Sequence, residues 1–166
     1  ILPRMNGLQV TIEADDKLNC HIKCGETTFD IMGMAAEDFP EMPTVGSDKS
    51  IVIDADIFSE MVKGTIFAVA QNEGAKPILT GIYVTIEDRI HRFVAIDGYR
   101  LAIRRHNIDI EGSFSFILSG RAVGEAVKLI DEETENVEIS FGDRLVSFNI
   151  SGYSFISRLL EGEFVN

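Results

Sequence analysis

Asp97-Gly98-Tyr99-Arg100-Leu101-Ala102, set between the apolar run Phe93-Val94-Ala95-Ile96 and Ile103, decides the fold, because a weaker copy stands downstream at Ser151-Gly152-Tyr153-Ser154. Each Gly-Tyr pair joins two strand-like segments. Each follows, at a similar interval, a helical segment introduced by a short apolar strand. Ser50-Ile51-Val52-Ile53 leads into a helical stretch from Asp54 to Gln71, and Ser115-Phe116-Ile117-Leu118 into one from Ser119 to Ile130. After the first helix come Ile82-Tyr83-Val84-Thr85-Ile86, a charged turn at Glu87-Asp88-Arg89, and the strand that reaches Asp97-Gly98. After the second come Val137-Glu138-Ile139-Ser140, a turn at Gly142-Asp143-Arg144, and the strand that reaches Ser151-Gly152. The unit is strand, helix, then a meander of strands, and it occurs twice.

The first forty or so residues read as a third, partial copy at an offset of roughly 125 residues, one domain length. Val10-Thr11-Ile12-Glu13 parallels Val137-Glu138-Ile139-Ser140, Lys17-Leu18 parallels Arg144-Leu145, and Cys24-Gly25 parallels Ser151-Gly152. Ala35-Ala36-Glu37-Asp38-Phe39 answers Leu159-Leu160-Glu161-Gly162-Glu163-Phe164. Phe39-Pro40-Glu41-Met42-Pro43 and Thr44-Val45-Gly46-Ser47-Asp48 have the composition of a linker. The expected organisation is therefore 1–43, the second half of one domain, and 44–166, a complete second domain, with the chain beginning inside the first. The expected class is α+β, with antiparallel sheets and two helices in the complete domain.

The chain has 166 residues, 45% hydrophobic and 25% charged, enough for one core and part of another. No apolar run approaches the roughly 20 residues that span a bilayer. Two cysteines make no disulfide framework and suggest a reducing compartment, so a cytoplasmic location and no membrane partner are expected.

A net charge of −12 argues against holding nucleic acid by general attraction, because such binding depends on neutralising phosphates. Any DNA contact must be local or enforced by shape. On the second helix Arg121, Glu125 and Lys128 share one stripe, while Val123, Ala126, Val127 and Ile130 face the other way. On the first, Ile57, Phe58, Met61, Val62, Ile66 and Val69 supply the buried side and Asp56, Ser59, Glu60 and Lys63 point outward with mixed sign. The charge of the first helix predicts no nucleic-acid surface, and for both helices the residues alone favour a solvated face with ordinary ion pairs.

Asp-Gly between strand formers signals a two-residue hairpin, since glycine accepts a positive φ and Asp can bond back to the chain. That accounts for Asp97 and Gly98 without accounting for Arg100, a cation beside an apolar surface, suited to gripping a peptide or pairing a carboxylate. Nucleophile elbows and phosphate loops are missing from the sequence. In a strand, Cys20 and Cys24 share one face and His21 takes the other, which does not converge on a metal. His91 and His106 stand apart from any nucleophile. No catalytic residue, metal or cofactor is expected.

Phe67-Ala68-Val69-Ala70, Pro77-Ile78-Leu79-Thr80-Gly81, Val94-Ala95-Ile96-Asp97-Gly98-Tyr99-Arg100-Leu101-Ala102 and Ser157-Arg158-Leu159-Leu160-Glu161-Gly162-Glu163-Phe164 together resemble, in order and spacing, the motifs of the bacterial DNA polymerase III beta subunit, the replication sliding clamp. The resemblance covers essentially the whole chain. It implies a DNA-clamp fold with sheets outside and helices on the inner face, a homodimeric ring of three-domain chains around duplex DNA, and no active site. In that family helix cations face the DNA, which here places Lys63, Arg121 and Lys128. It also implies a hydrophobic cleft that takes short linear motifs from the replicative polymerase, the clamp loader and repair proteins. Leu79, Ile96, Gly98, Tyr99, Arg100, Leu101 and Val165 match its second-domain wall. The third domain, which supplies the other wall, has no counterpart here. The family often has threonine at Ile96, histidine at Tyr99 and proline at Val165, differences that bear on motif preference. The rival reading is a duplicated α+β protein-interaction module unrelated to DNA. An enzyme built on Asp97 and His91 lacks a nucleophile or third ligand.

Overall fold

Alternation of apolar and polar side chains builds most of this molecule. The structure, a computed structural model, describes residues 9–46, 49–71, 74–109 and 112–165, so the linker positions Ser47 and Asp48 lie outside the described residues. The chain divides into two compact units, Ile1–Met42 and Pro43–Asn166. In the first, β1 (Val10–Ala14), β2 (Asn19–Cys24) and β3 (Thr27–Met32) form an antiparallel meander in the order β1-β2-β3. Its register aligns Ile12, Ile22 and Phe29 across one face, and Glu13, His21 and Asp30 across the other.

The second unit contains β4 (Ser50–Asp54), α1 (Ala55–Lys63), β5 (Gly81–Glu87), β6 (Ile90–Ile96) and β7 (Leu101–Asn107), followed by β8 (Phe114–Ser119), α2 (Gly120–Val127), β9 (Asn136–Phe141), β10 (Leu145–Ile150) and β11 (Tyr153–Arg158). The duplication is visible as two four-stranded antiparallel sheets, β11-β10-β9-β4 and β7-β6-β5-β8. The repeats interlock. The leading strand of each completes the sheet of the other, with Ile51 opposite Ile139 and Leu118 opposite Ile82. All four side chains are buried, so neither repeat could bury its apolar face alone.

One core joins both sheets to both helices. Phe58 of α1 sits between them, its ring 6.2 Å from Phe93 and 6.0 Å from Phe148. Phe141 closes the far end against Phe116 at 4.6 Å. Asp54 caps α1 by accepting the Ile57 N–H at 3.1 Å, and Ser119 caps α2 through Ala122.

Both helices are shorter than the sequence pattern suggests. α1 stops at Lys63, not Gln71, because Gly64 closes it and the buried Thr65 hydroxyl donates to the Met61 carbonyl at 2.9 Å, taking an acceptor the helix end leaves open. A 3-10 turn, Ile66–Ala68, follows. α2 ends at Val127, after which Lys128, Leu129 and Ile130 make tighter bonds to the third residue back. Ser59, expected outward, is buried on a stripe with Ala55 and Val62, so the covered arc of α1 is wider than its apolar residues mark.

The hairpins also differ in register from expectation. Ser151 and Gly152, with φ of 44° and 81°, form a two-residue turn between the pair Ile150 and Tyr153. In the first unit Gly25 and Glu26 occupy those places, between Cys24 and Thr27. Gly25 therefore stands where Ser151 does, one position from the match of Cys24-Gly25 with Ser151-Gly152 that the sequence suggests.

Candidate functional site

The β6–β7 hairpin has its last strand pair at Ile96 and Leu101, leaving Asp97 to Arg100 as the connection. The Asp97 N–H donates to the Arg100 carbonyl at 3.2 Å, so the two central residues are Gly98 and Tyr99, one place beyond the Asp-Gly pair the sequence suggests. The Asp97 carboxylate organises the loop. One oxygen accepts the backbone N–H groups of Tyr99 at 3.0 Å and Arg100 at 2.8 Å. The other accepts the Arg100 guanidinium through Nε at 2.9 Å and Nη2 at 2.6 Å. Gly98 takes φ of 92°, a conformation in which a side chain would be strained. Those backbone donors, with the guanidinium, push the Asp97 carboxyl down to about 2. Arg100 is thus held in place by a permanent anion, and Tyr99, 98% exposed, is held out from the tip.

Tyr99, Arg100 and Asp97 form one side of a hollow of about 460 Å³, and Leu79, Ala70 and Gln71 line it as well. Leu79 reaches it from a 3-10 turn, Pro77–Thr80, tied down where the Ala70 N–H donates to the Leu79 carbonyl at 2.8 Å. The neighbouring Gly81 is packed so closely that an added Cβ would lie 2.5 Å from the Leu118 carbonyl oxygen and 2.6 Å from a Leu160 methyl. The Leu-Thr-Gly motif thereby acquires a physical cause.

Ile96 and Leu101, directly opposite one another, share the outward face of the sheet with Val94 and Ile103. Tyr83, opposite Val94, lies on the same face and stacks on Phe164 at 4.8 Å. Leu101 is 60% exposed and Val165, next after Phe164, 55%. Of the expected wall, Leu79, Tyr99 and Arg100 meet in the hollow, Gly98 shapes the turn, Ile96 and Leu101 lie on the adjoining face, and Val165 does not line the hollow. Tyr83 and Phe164 escaped the sequence reading, because a stack between distant residues leaves no local signal. Asp97 as the anchor of Arg100 was legible only as a turn residue.

On the helices, Lys63, Arg121 and Lys128 are all exposed. Lys128 pairs with Glu125 at 2.8 Å, and Glu60 of α1 pairs with Arg104 of β7. The described ion pairs involve neither Lys63 nor Arg121. The exposed stripe on α2 is accordingly less cationic than its composition suggests, with Arg121 its one charge outside an ion pair among the described residues.

A family profile described as DNA polymerase III beta subunit, central domain, matches residues 52–166. The chain belongs to the DNA polymerase III beta subunit family. A beta sliding clamp of Bacillus subtilis is 30% identical over 166 residues, and one of Staphylococcus epidermidis 29% over 165. Each match covers 99% of this chain, and the chain spans 44% of the length of each relative. The crystal structure of the Bacillus subtilis DNA polymerase sliding clamp superposes with a TM-score of 0.85 at 29% identity, covering 99% of this chain and 44% of that one. The DNA polymerase III beta subunit of Thermotoga maritima gives 0.81 at 26% identity, covering 99% and 45%. The fold is the α+β DNA-clamp fold.

Outside the family motifs, the described residues bring together no group of three or more His, Cys, Asp and Glu side chains suited to a metal. Cys24 is buried and His21, on the opposite face of β2, contacts Asp30 at 2.5 Å. Among the described residues no helix is long and apolar enough to cross a membrane.

Proposed function

We propose that the protein is a bacterial replication processivity factor. Its full-length form would be a homodimeric ring that encircles duplex DNA without reading sequence and tethers the replicative polymerase. Clamp loader and repair proteins would use the same surface through short linear motifs. In this reading residues 1–43 are the second half of the first clamp domain and 44–166 the middle domain. The hollow between Leu79 and Arg100, with the adjoining face of Ile96 and Leu101, is one wall of the peptide cleft. An extended peptide would lay apolar side chains against Leu79 and Leu101 and take a directional hydrogen bond from Arg100. The protein acts as an accessory subunit, with no catalysis of its own, in the cytoplasm at the nucleoid.

The observation that carries the reading is the likeness to sliding clamps over 99% of the chain, at 0.85 TM-score for the Bacillus subtilis protein. The charge supports it: a net charge of −12 argues against holding DNA by general phosphate neutralisation, whereas a closed ring would hold it by topology. The test is retention of the full-length protein, after loading, on nicked circular DNA against the same DNA linearised. Retention on circles with rapid loss from linear ends is expected. Equal retention would mean direct surface binding. Retention on neither, with a control clamp loading normally, would leave a plain interaction module.

A further inference from the structure

β8 is the edge strand of its sheet, paired along one side with β5. On its other side the chain after β11 begins a ladder and abandons it. Leu118 and Leu159 form an isolated antiparallel bridge, and the Leu160 N–H donates to the Ile117 carbonyl at 3.0 Å. That bond sets the phase of the strand. Backbone groups alternate sides from one residue to the next, so the outward-pointing N–H and C=O are those of Ile117 and, one rung on, Ser115. A continuing ladder would bring residue 162 opposite Ser115. Gly162 instead takes φ of 134° and lies against the Ile78 side chain, and Phe164 goes on to stack on Tyr83. No described strand pairs with Ser115 on that side.

A cleft of about 620 Å³ runs along this open edge, walled by Ser113 to Ile117, by the β9–β10 turn and by the departing segment from Leu159 to Phe164. Its charged lining is Asp143, Glu161 and Glu163 with Lys49, and Glu161 is paired with Arg144 at 3.7 Å, which leaves Asp143 and Glu163 as the carboxylates outside the described ion pairs. It shares no lining residue with the hollow at Leu79 and Arg100. An unpaired strand edge is a template for another strand, and an acidic rim selects a cationic one. We infer that this cleft is a second docking site, which takes an extended, basic segment of a partner protein by strand addition to β8. Main-chain bonds to Ser115 supply the affinity, and the carboxylates of Asp143 and Glu163 select lysine or arginine.

The probe is a fluorescein-labelled, end-capped peptide of alternating valine and lysine, titrated into the full-length protein and read by anisotropy. Saturable binding below about 1 mM is expected. Ser115→Pro, which deletes an outward N–H and leaves the β5 ladder intact, lowers affinity about ten-fold, as does the double change Asp143→Lys with Glu163→Lys. Arg100→Ala leaves it unchanged. Peptides N-methylated at alternate amides, or with glutamate for lysine, do not bind. If Ser115→Pro fails to fold, the charge-reversed pair and the N-methylated peptide decide the matter. The proposal is overturned by absence of saturable binding, by equal binding of either control peptide, or by loss of binding in Arg100→Ala, which would put the peptide in the Leu79 hollow. Self-association that Ser115→Pro abolishes, without peptide binding, would assign the edge to a second copy of the chain. None of these outcomes bears on the ring.

Discussion

Both carboxylate oxygens of Asp97 are taken up inside its own turn, two backbone N–H groups on one and the Arg100 guanidinium on the other. In the proposed cleft Arg100 would meet a peptide with its direction already set, so less side-chain entropy would be lost on binding. Arg100→Ala should weaken binding of a polymerase-motif peptide about ten-fold in the full-length protein while leaving assembly intact, and unchanged affinity would remove Arg100 from the site. Asp97→Asn should produce a smaller loss, because the guanidinium keeps its place in the chain and loses its anchor. His91 of β6 makes a different prediction. It is buried on the edge of Phe93, its Nε2 has no partner among the described residues, and His106 lies opposite. Burial, with the nearby His106, pushes its imidazole down to about 4 from 6.5. A base held below its unfolded value contributes stability that is complete above about pH 6.5 and is lost as pH falls through about 4. Between about pH 7 and 4.5 the wild type should lose about 2 kcal/mol more than His91→Phe, read as the difference in their urea midpoints. Parallel losses would place the imidazole in contact with water.

At the scale of elements, the strands were legible because their side chains alternate and their turns carry Asp, Gly and Ser. β5, β6, β9 and β10 bury every second residue as the pattern requires. The ends of the helices were not, because what stops α1 is the Thr65 hydroxyl meeting a carbonyl, an event the apolar periodicity of Ile66 and Val69 conceals. The exchange of leading strands was equally hidden. A repeat in sequence says that two units are alike, and only the register of Ile51 on Ile139 and Leu118 on Ile82 says that each completes the other. Half of the candidate site was open to the same reading: Tyr99 and Arg100 stand out within one turn, whereas Leu79 joins them through a hydrogen bond from Ala70 that no spacing reveals. Gly81 sits where the exchanged strand β8, the segment after β11 and the turn bearing Leu79 converge. Gly81→Ala should cost on the order of 2 kcal/mol, since both the Leu118 carbonyl and the Leu160 methyl would have to move. The check is the urea midpoint, with Gly46→Ala as control, where an added Cβ meets nothing within 4 Å. Equal midpoints would mean that the Leu-Thr-Gly motif is retained for a reason other than packing.

For the whole molecule the question raised by the proposed function is how an acidic chain would work on DNA. Local pairing occupies three of the helix charges: Lys128 with Glu125, and Glu60 with Arg104 of β7. What remains toward solvent is a face near neutrality on a chain of net −12, carrying Lys63 and Arg121 as cations outside the described ion pairs. A ring that moved along the duplex, as proposed, would be served by that balance. Strong phosphate contacts would release counterions and hold the protein in place, and a strongly negative lining would oppose loading. Arg121 should then matter more than Lys128, whose removal also frees Glu125. Arg121→Glu is expected to reduce the amount of clamp loaded on nicked circles at low salt several-fold. The deficit should shrink as salt rises, because the contact acts through a screened field. Lys128→Glu alone should have a smaller effect, and the two together more than either. Normal loading of the double variant at low and at moderate salt would remove this helix face from the DNA path.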